Sequence, residues 1–228
     1  MSKLITYKFC LPIISRSQSM IEGLLQKHLE QYSYFEIWLD YLDDPDPDFI
    51  RKISAIYQDK IIYLLRRKNL EKTKLSIEKQ SALLNTICDT SSIIDLDINN
   101  QSDELELIYK HNLKCRLISS YHNYDETPDD NELLNLYESM KKYTPEIYKF
   151  SCFCNKDSDS LRLLNLLLKI RQNADRYIVL GMGEKALPTR VFAAKWGNEM
   201  IFAPQDQEQA SAPGQLTYHQ HLKLFELI

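Results

Sequence analysis

Glycine is scarce in this 228-residue chain, with five residues, and the only Gly-x-Gly is Gly181-Met182-Gly183. No further glycine follows at dinucleotide-fingerprint spacing and no phosphate-binding loop occurs, so neither nucleotide signature is present. An excess of positive charge is lacking too: 28 Lys and Arg against 32 Asp and Glu leave a net charge of -4 and a pI near 5.8. Such a balance gives no electrostatic footprint for nucleic acid or an anionic membrane. No apolar run approaches the roughly 20 residues of a membrane-spanning helix. The start, MSKLITYKFCLPII, has one apolar stretch of strand length with neither an h-region nor a cleavage site, which speaks against export. The five cysteines, at 10, 88, 115, 152 and 154, form no even disulfide framework. Most lie in apolar runs, which predicts reduced, buried thiols and a cytoplasmic protein. Cys152-x-Cys154 has no second pair or histidine at zinc spacing, so the pair is expected to pack and no metal is expected.

What the sequence does have is alternation. Eight short apolar runs read as strands: Leu4–Ile14, Phe35–Leu42, Lys60–Leu65, Ser92–Ile98, Cys115–His122, Ile147–Cys154, Tyr177–Gly181 and Met200–Ala203. Between them lie amphipathic stretches. Ser17–Tyr32 sets Met20, Leu24, Leu25 and Leu29 along one side, and Asp157–Gln172 points Leu161, Leu164, Leu167 and Leu168 inward. The acidic run Asp43–Asp48 has the composition of a cation site, but Asp46 before Pro47 predicts a loop and helix N-cap instead. Strands alternating with helices over this length predict one (β/α)8 barrel domain spanning residues 1–228, with a doubly wound open sheet as the alternative.

Polar residues gather at or near the predicted C-terminal ends of these strands: Glu36 and Asp40, Arg66, Asp95 and Asp97, His122, Lys149. In a barrel that end carries the site. A lysine in apolar surroundings loses its proton readily, because desolvation disfavours the ammonium, and the neutral amine attacks carbonyls. Lys149 as nucleophile and His122 as proton carrier therefore predict Schiff-base chemistry, needing no cofactor. Asp95 and Asp97, two apart on one strand face, have the placement for paired acid/base work. His28, His111, His219 and His221 fall in helical or terminal segments and are expected at the surface.

The runs FEIWLDYL, IDLDI, LISSYHNYDETP, IYKFSCF, GMG…LPTR and SAPGQL occur in the order seen in type I 3-dehydroquinase, and the chain resembles that family over essentially its whole length. The resemblance implies dehydration of 3-dehydroquinate to 3-dehydroshikimate in the shikimate pathway. It implies Lys149 as the Schiff-base lysine and His122 as the general acid/base. Arg190, in the loop region beyond the seventh strand, would pair with the substrate carboxylate, and Ser211 and Gln215 would sit in a loop closing over substrate. Glu36 and Arg66 would contact the ring, and Asp95 and Asp97 would orient polar partners inside the barrel rather than act as a paired acid and base. A homodimer is compatible with the resemblance. Set against the family, the chain is expected to start at the first barrel strand, short of the N-terminal hairpin that often covers the barrel bottom there.

Two positions depart from the family pattern. Trp38 stands where the family has an arginine between Glu36 and Asp40, which predicts a slow, weakly binding enzyme that Trp38→Arg would improve, unless Arg67 substitutes for the missing cation. The family's glutamate four residues after its third-strand arginine falls on Leu70, or on Glu71 if Arg67 is the aligned arginine, and Lys72-Thr73 replace the glycines that follow. These departures motivate two rival readings: a weakened or inert member with a binding role, or a Schiff-base lyase or aldolase acting on another carboxylated ketone.

Overall fold

The computed structural model of the protein describes residues 7–65, 67 and 75–227. Eight strands run in order: β1 (Phe9–Ile13), β2 (Tyr34–Trp38), β3 (Ile61–Leu64), β4 (Ile93–Asp97), β5 (Arg116–Asn123), β6 (Ile147–Phe153), β7 (Tyr177–Met182) and β8 (Ile201–Phe202). Each is followed by a helix: α1 (Gln18–His28), α2 (Pro47–Tyr57), α3 (Ile77–Cys88), α4 (Ser102–Lys110), α5 (Asp130–Met140), α6 (Asp157–Gln172), α7 (Leu187–Trp196) and α8 (Tyr218–Glu226). All pairs are parallel and the order is β7-β6-β5-β4-β3-β2-β1-β8. A doubly wound sheet would reverse order at a switch point. This one never does, so the barrel prediction holds.

Between β7 and β8 the ring is completed differently. Asn198, just before β8, uses its side-chain amide as a strand would use its backbone: its Oδ1 accepts from Val179 N and its Nδ2 donates to Val179 O, both at 3.0 Å. Glu199 N then donates to Tyr177 O at 2.8 Å.

Inside the barrel the side chains stack in layers, as the two-residue strand period demands. Cys10, Ile62, Ile93, Ile118, Ile147, Ile178, Met200 and Phe202 form a buried apolar floor. One step toward the strand C-termini the inward residues turn polar. A second apolar shell, including Phe35, Ile37, Tyr63, Ile94 and Leu96, packs between the strands and the helices.

Several expectations are corrected. Leu161 is 61% exposed and Leu168 39%, while Leu163 and Leu166 are buried; likewise Met20 is 62% exposed and Ile21 is buried. With leucine at six of positions 161–168, periodicity alone cannot choose the inward stripe. His28 and His221 are buried, not superficial. Cys88, ending α3, and Cys115, preceding β5, meet at the N-terminal end of the barrel with Cα atoms 4.3 Å apart and form a disulfide, against the expectation of five reduced thiols. Cys10, Cys152 and Cys154 are free and buried. Asp46 does cap α2, accepting from Phe49 N at 2.8 Å. The expectation about an N-terminal hairpin falls on residues outside those described. Among the described residues no helix is long and apolar enough to cross a membrane.

Candidate active site

Above the apolar floor a cleft of about 440 Å³ opens at the C-terminal ends of the strands, lined among others by Glu36, Trp38, Arg67, His122, Lys149 and Arg190. Each residue arrives there by register. Lys149 pairs with Ser120 and Ser151 with His122 across β5 and β6, so the lysine and the histidine share the inward face one layer apart.

Lys149 is buried, and its Nζ lies 2.6 Å from Asp95 Oδ2 and 3.3 Å from Glu36 Oε1. The Phe202 ring lies 4.5 Å below the same atom. Burial pushes the lysine pKa down, but the Asp95 and then the Glu36 carboxylate outweigh it, and the net shift is upward. Asp95, despite its own burial, is pulled down to about 2, chiefly by the Lys149 charge. The free site therefore holds an ammonium, and the expectation of a neutral lysine is corrected. The sequence argument counted desolvation and had no way to count Asp95, which stands two strands away.

His122 has a defined tautomer. Asp97 Oδ2 accepts from both His122 N at 2.9 Å and Nδ1 at 3.1 Å. Asp97 is held below the usual carboxylate range: burial raises its pKa, but the hydrogen bond and charge of His122 lower it further. An ionised carboxylate only accepts, so Nδ1 carries the proton. Arg67 Nη2 lies 3.2 Å from Nε2, and a guanidinium only donates, so Nε2 presents its lone pair. Burial, reinforced by the Arg67 charge, pushes the imidazole pKa down to about 4. At neutral pH His122 is an uncharged base whose Nε2 accepts from Arg67 at the cleft.

Arg190 lies within α7 rather than in the loop the sequence suggested, with Pro188 in the first turn, where a missing N–H costs no bond. Its guanidinium is buried, and burial lowers its pKa to about 10. Nη2 donates to Pro213 O at 3.4 Å and Nε has no hydrogen-bond partner. Among the described residues no carboxylate pairs with it. A buried cation without a counter-ion is a place prepared for an anion.

The stretch 211–215 folds over this end. Gln215 Oε1 accepts from Ser211 N at 2.8 Å and from Ser211 Oγ at 3.2 Å, and Gln215 Nε2 donates to Phe202 O at 3.1 Å. Gly214 has φ +71, and a Cβ on it would lie 2.5 Å from Gly183 O, so a side chain is excluded twice over. Ser211 and Gln215 both line the cleft.

Six of the seven residues singled out from the sequence are thus brought to one cleft: Glu36, His122, Lys149, Arg190, Ser211 and Gln215. The seventh, Arg66, lies outside the described residues, as do Leu70 and Glu71. Arg67 occupies the cleft, buried, with Nη1 donating to Tyr124 OH at 3.1 Å. Its carbon Cζ stands 5.9 Å from the centre of the Trp38 ring. Strict alternation from Ile62 and Leu64 would turn residue 66 inward. β3 ends at Leu64, however, and beyond it the two-residue period no longer governs. Trp38 itself donates from Nε1 to Glu36 Oε2 at 3.0 Å. Tyr124 escaped the sequence reading, although the Tyr-His-Asn-Tyr run placed it two residues past His122. Among the described residues no cluster suited to a metal ion occurs.

The sequence model of the type I 3-dehydroquinase family matches residues 9–228. A 3-dehydroquinate dehydratase of Methanococcus maripaludis is 29% identical over 223 residues, covering 96% of this chain and 99% of its own length. One from Coxiella burnetii is 29% identical over 217 residues, covering 93% and 90%. Among solved structures, 3-dehydroquinate dehydratase from Geobacillus kaustophilus superposes with a TM-score of 0.82 at 20% identity, over 97% of this chain and 91% of that one. The type I enzyme of Clostridium difficile gives a TM-score of 0.81 at 17% identity, with the same coverage. The structural likeness is one of fold.

Proposed function

Because the chain belongs to the type I 3-dehydroquinase family, we propose that it dehydrates 3-dehydroquinate to 3-dehydroshikimate, in the shikimate pathway, through an imine on Lys149. The observation that carries this reading is one cleft holding three groups: a lysine within reach of two carboxylates, a neutral histidine on the next strand, and a buried guanidinium with no counter-ion.

Arg190 takes the substrate carboxylate, converting binding into orientation of the ring ketone toward Lys149. Ammonium plus ketone gives protonated imine plus water, so the positive charge on the nitrogen is the same before and after. Asp95, 2.6 Å from that nitrogen, therefore serves the iminium as it serves the ammonium. The transient loss of a proton during attack becomes easier once Glu36 turns to the ring hydroxyls and leaves only one carboxylate beside Lys149. The iminium then acidifies the adjacent C–H. His122 Nε2 takes that proton, and the electron pair moves into the enamine. The imidazolium returns the proton to the departing hydroxyl as the C–O bond breaks, which restores the iminium, and water releases the product. Asp97 steadies the imidazolium formed between these steps, as a carboxylate on Nδ1 does in other histidine bases. No step calls for a metal or an organic cofactor.

The test is borohydride reduction in the presence of 3-dehydroquinate, followed by mass mapping. The expected result is one adduct, on Lys149, in an enzyme that also turns over. An untouched Lys149 in an enzyme that still dehydrates the substrate would refute the imine.

A further inference from the structure

A second, smaller cavity adjoins the cleft and shares Leu180, Arg190 and Phe202 with it. Its remaining wall includes Asn198, Met200 and His221. It is apolar apart from three side chains, and one of these is already committed, since both ends of the Asn198 amide bond Val179. The other two are not. His221, on α8, is fully buried with neither ring nitrogen hydrogen-bonded, and Arg190 Nε is unbonded as well. The ring is held between Phe9 and Phe225, with centroids 6.0 and 5.5 Å away. The cavity has room for about one water molecule.

We propose that this cavity holds a buried water that accepts from Arg190 Nε and donates to His221, making His221 the positioning residue for the guanidinium that takes the substrate carboxylate. The proposal rests on the carboxylate role given to Arg190 above. Its physical sense lies in what His221 is not. A carboxylate at this position would neutralise Arg190 and compete with the substrate for it. An uncharged imidazole orients Nε and leaves the positive charge unspent. Burial keeps the ring neutral, its pKa lowered to about 4 with the Arg190 charge contributing. Nε is thereby fixed from behind, while Nη1 and the N–H of Nη2 not used on Pro213 O stay available to a carboxylate.

The experiment compares His221→Leu and His221→Gln with wild type in three readouts: steady-state kinetics, binding of quinate (a carboxylated ring without the ketone) by calorimetry, and the crystallographic water. His221→Leu is expected to raise KM and weaken quinate about tenfold, the worth of one orienting hydrogen bond, with kcat within about twofold of wild type. His221→Gln, which keeps a donor and an acceptor, should recover most of that loss. In an Arg190→Ala background His221→Leu should add nothing, because the group it orients is gone. A loss confined to kcat, unchanged quinate binding in a folded His221→Leu protein, or additive losses in the double variant would overturn the proposal. Should neither variant fold, the wild-type crystal structure decides, since an empty cavity overturns the proposal and a water within hydrogen-bond distance of both groups upholds it. Quinate binding reads the Arg190 contact whether or not the protein forms an imine, so failure of this proposal and failure of the proposed function remain distinguishable.

Discussion

The two walls of the cleft are built on opposite principles. On the β4–β5–β6 side every ionisable group has its partner: Lys149 with Asp95 and Glu36, and His122 with Asp97 and Arg67. On the β7–α7–β8 side Arg190 has no counter-ion among the described residues and an unbonded Nε, its Nη2 meeting only the Pro213 carbonyl, and the histidine behind it is unbonded as well. Saturation fixes protonation states and directions before the substrate arrives, which is what proton transfer needs. Unmet valence does the reverse: it leaves a buried charge that only a ligand can satisfy, so affinity is drawn from the fold's own unpaid desolvation. The chemistry resides on one wall and the recognition on the other.

Breaking the saturated wall at its nucleophile should have the largest effect. Lys149→Ala is expected to lower turnover by about four orders of magnitude or more and to abolish borohydride trapping. The variant would leave Asp95 and Glu36 buried without their cation, so a thermal melt accompanies the assay, and measurable dehydration by a folded Lys149→Ala protein would remove the lysine from the mechanism. His122→Ala should cost roughly two to four orders of magnitude while still forming a trappable adduct, since imine formation precedes the proton abstraction. The pH profile sharpens the same point. The base works only when neutral, and its pKa is lowered from 6.5 to about 4, so kcat/KM should hold steady through pH 6 and fall on approaching about 4. An acid limb near the ordinary histidine value would mean that Arg67 and burial do not act on His122 as described.

The Trp38 position gives the smallest expected effect and separates two ideas about the saturated wall. The sequence, with a tryptophan in place of an arginine, pointed to a deficient site that Trp38→Arg would repair. With Arg67 already buried against His122 and the Trp38 ring, a second guanidinium would enter beside a like charge. Trp38→Arg is now expected to change kcat/KM by less than about threefold, whereas Arg67→Ala should lower it by roughly tenfold to a hundredfold. A large gain from Trp38→Arg with little loss from Arg67→Ala would return the deficit to Trp38.

Much of this site was legible in the sequence because a barrel converts strand ends into neighbours. Once eight strands were recognised, Lys149 and His122, inward-facing on successive strands one layer apart, had to meet inside one barrel. What stayed hidden depends on distances across the barrel or on breaks in periodicity. Lys149's charge is set by Asp95, more than fifty residues earlier and two strands away, so a local argument from desolvation pointed the wrong way. Arg67, out of step with Ile62 and Leu64, reaches the cleft because the strand stops at Leu64. Arg190 was assigned to a loop although Pro188 is a good first-turn residue for α7. The Cys88–Cys115 bridge joins residues 27 apart in sequence that the pairing of β4 with β5 brings together.

The Asn198 seam gives that ring an asymmetry of construction. Everywhere else adjacent staves are laced by peptide groups, which any amino acid brings with it. Between β7 and β8 a single peptide hydrogen bond, from Glu199 N to Tyr177 O, is joined by two from one carboxamide, and those two depend on one genetic choice. A replacement at 198 would need a donor and an acceptor at one short reach. Aspartate lacks the donor, and glutamine overshoots by a methylene. The hoop thus has a clasp, and the clasp lies in the wall of the cavity behind Arg190. Whatever slack the barrel has at that clasp is passed to the hand that holds the carboxylate, while the strands that make and break bonds are stitched along their whole length.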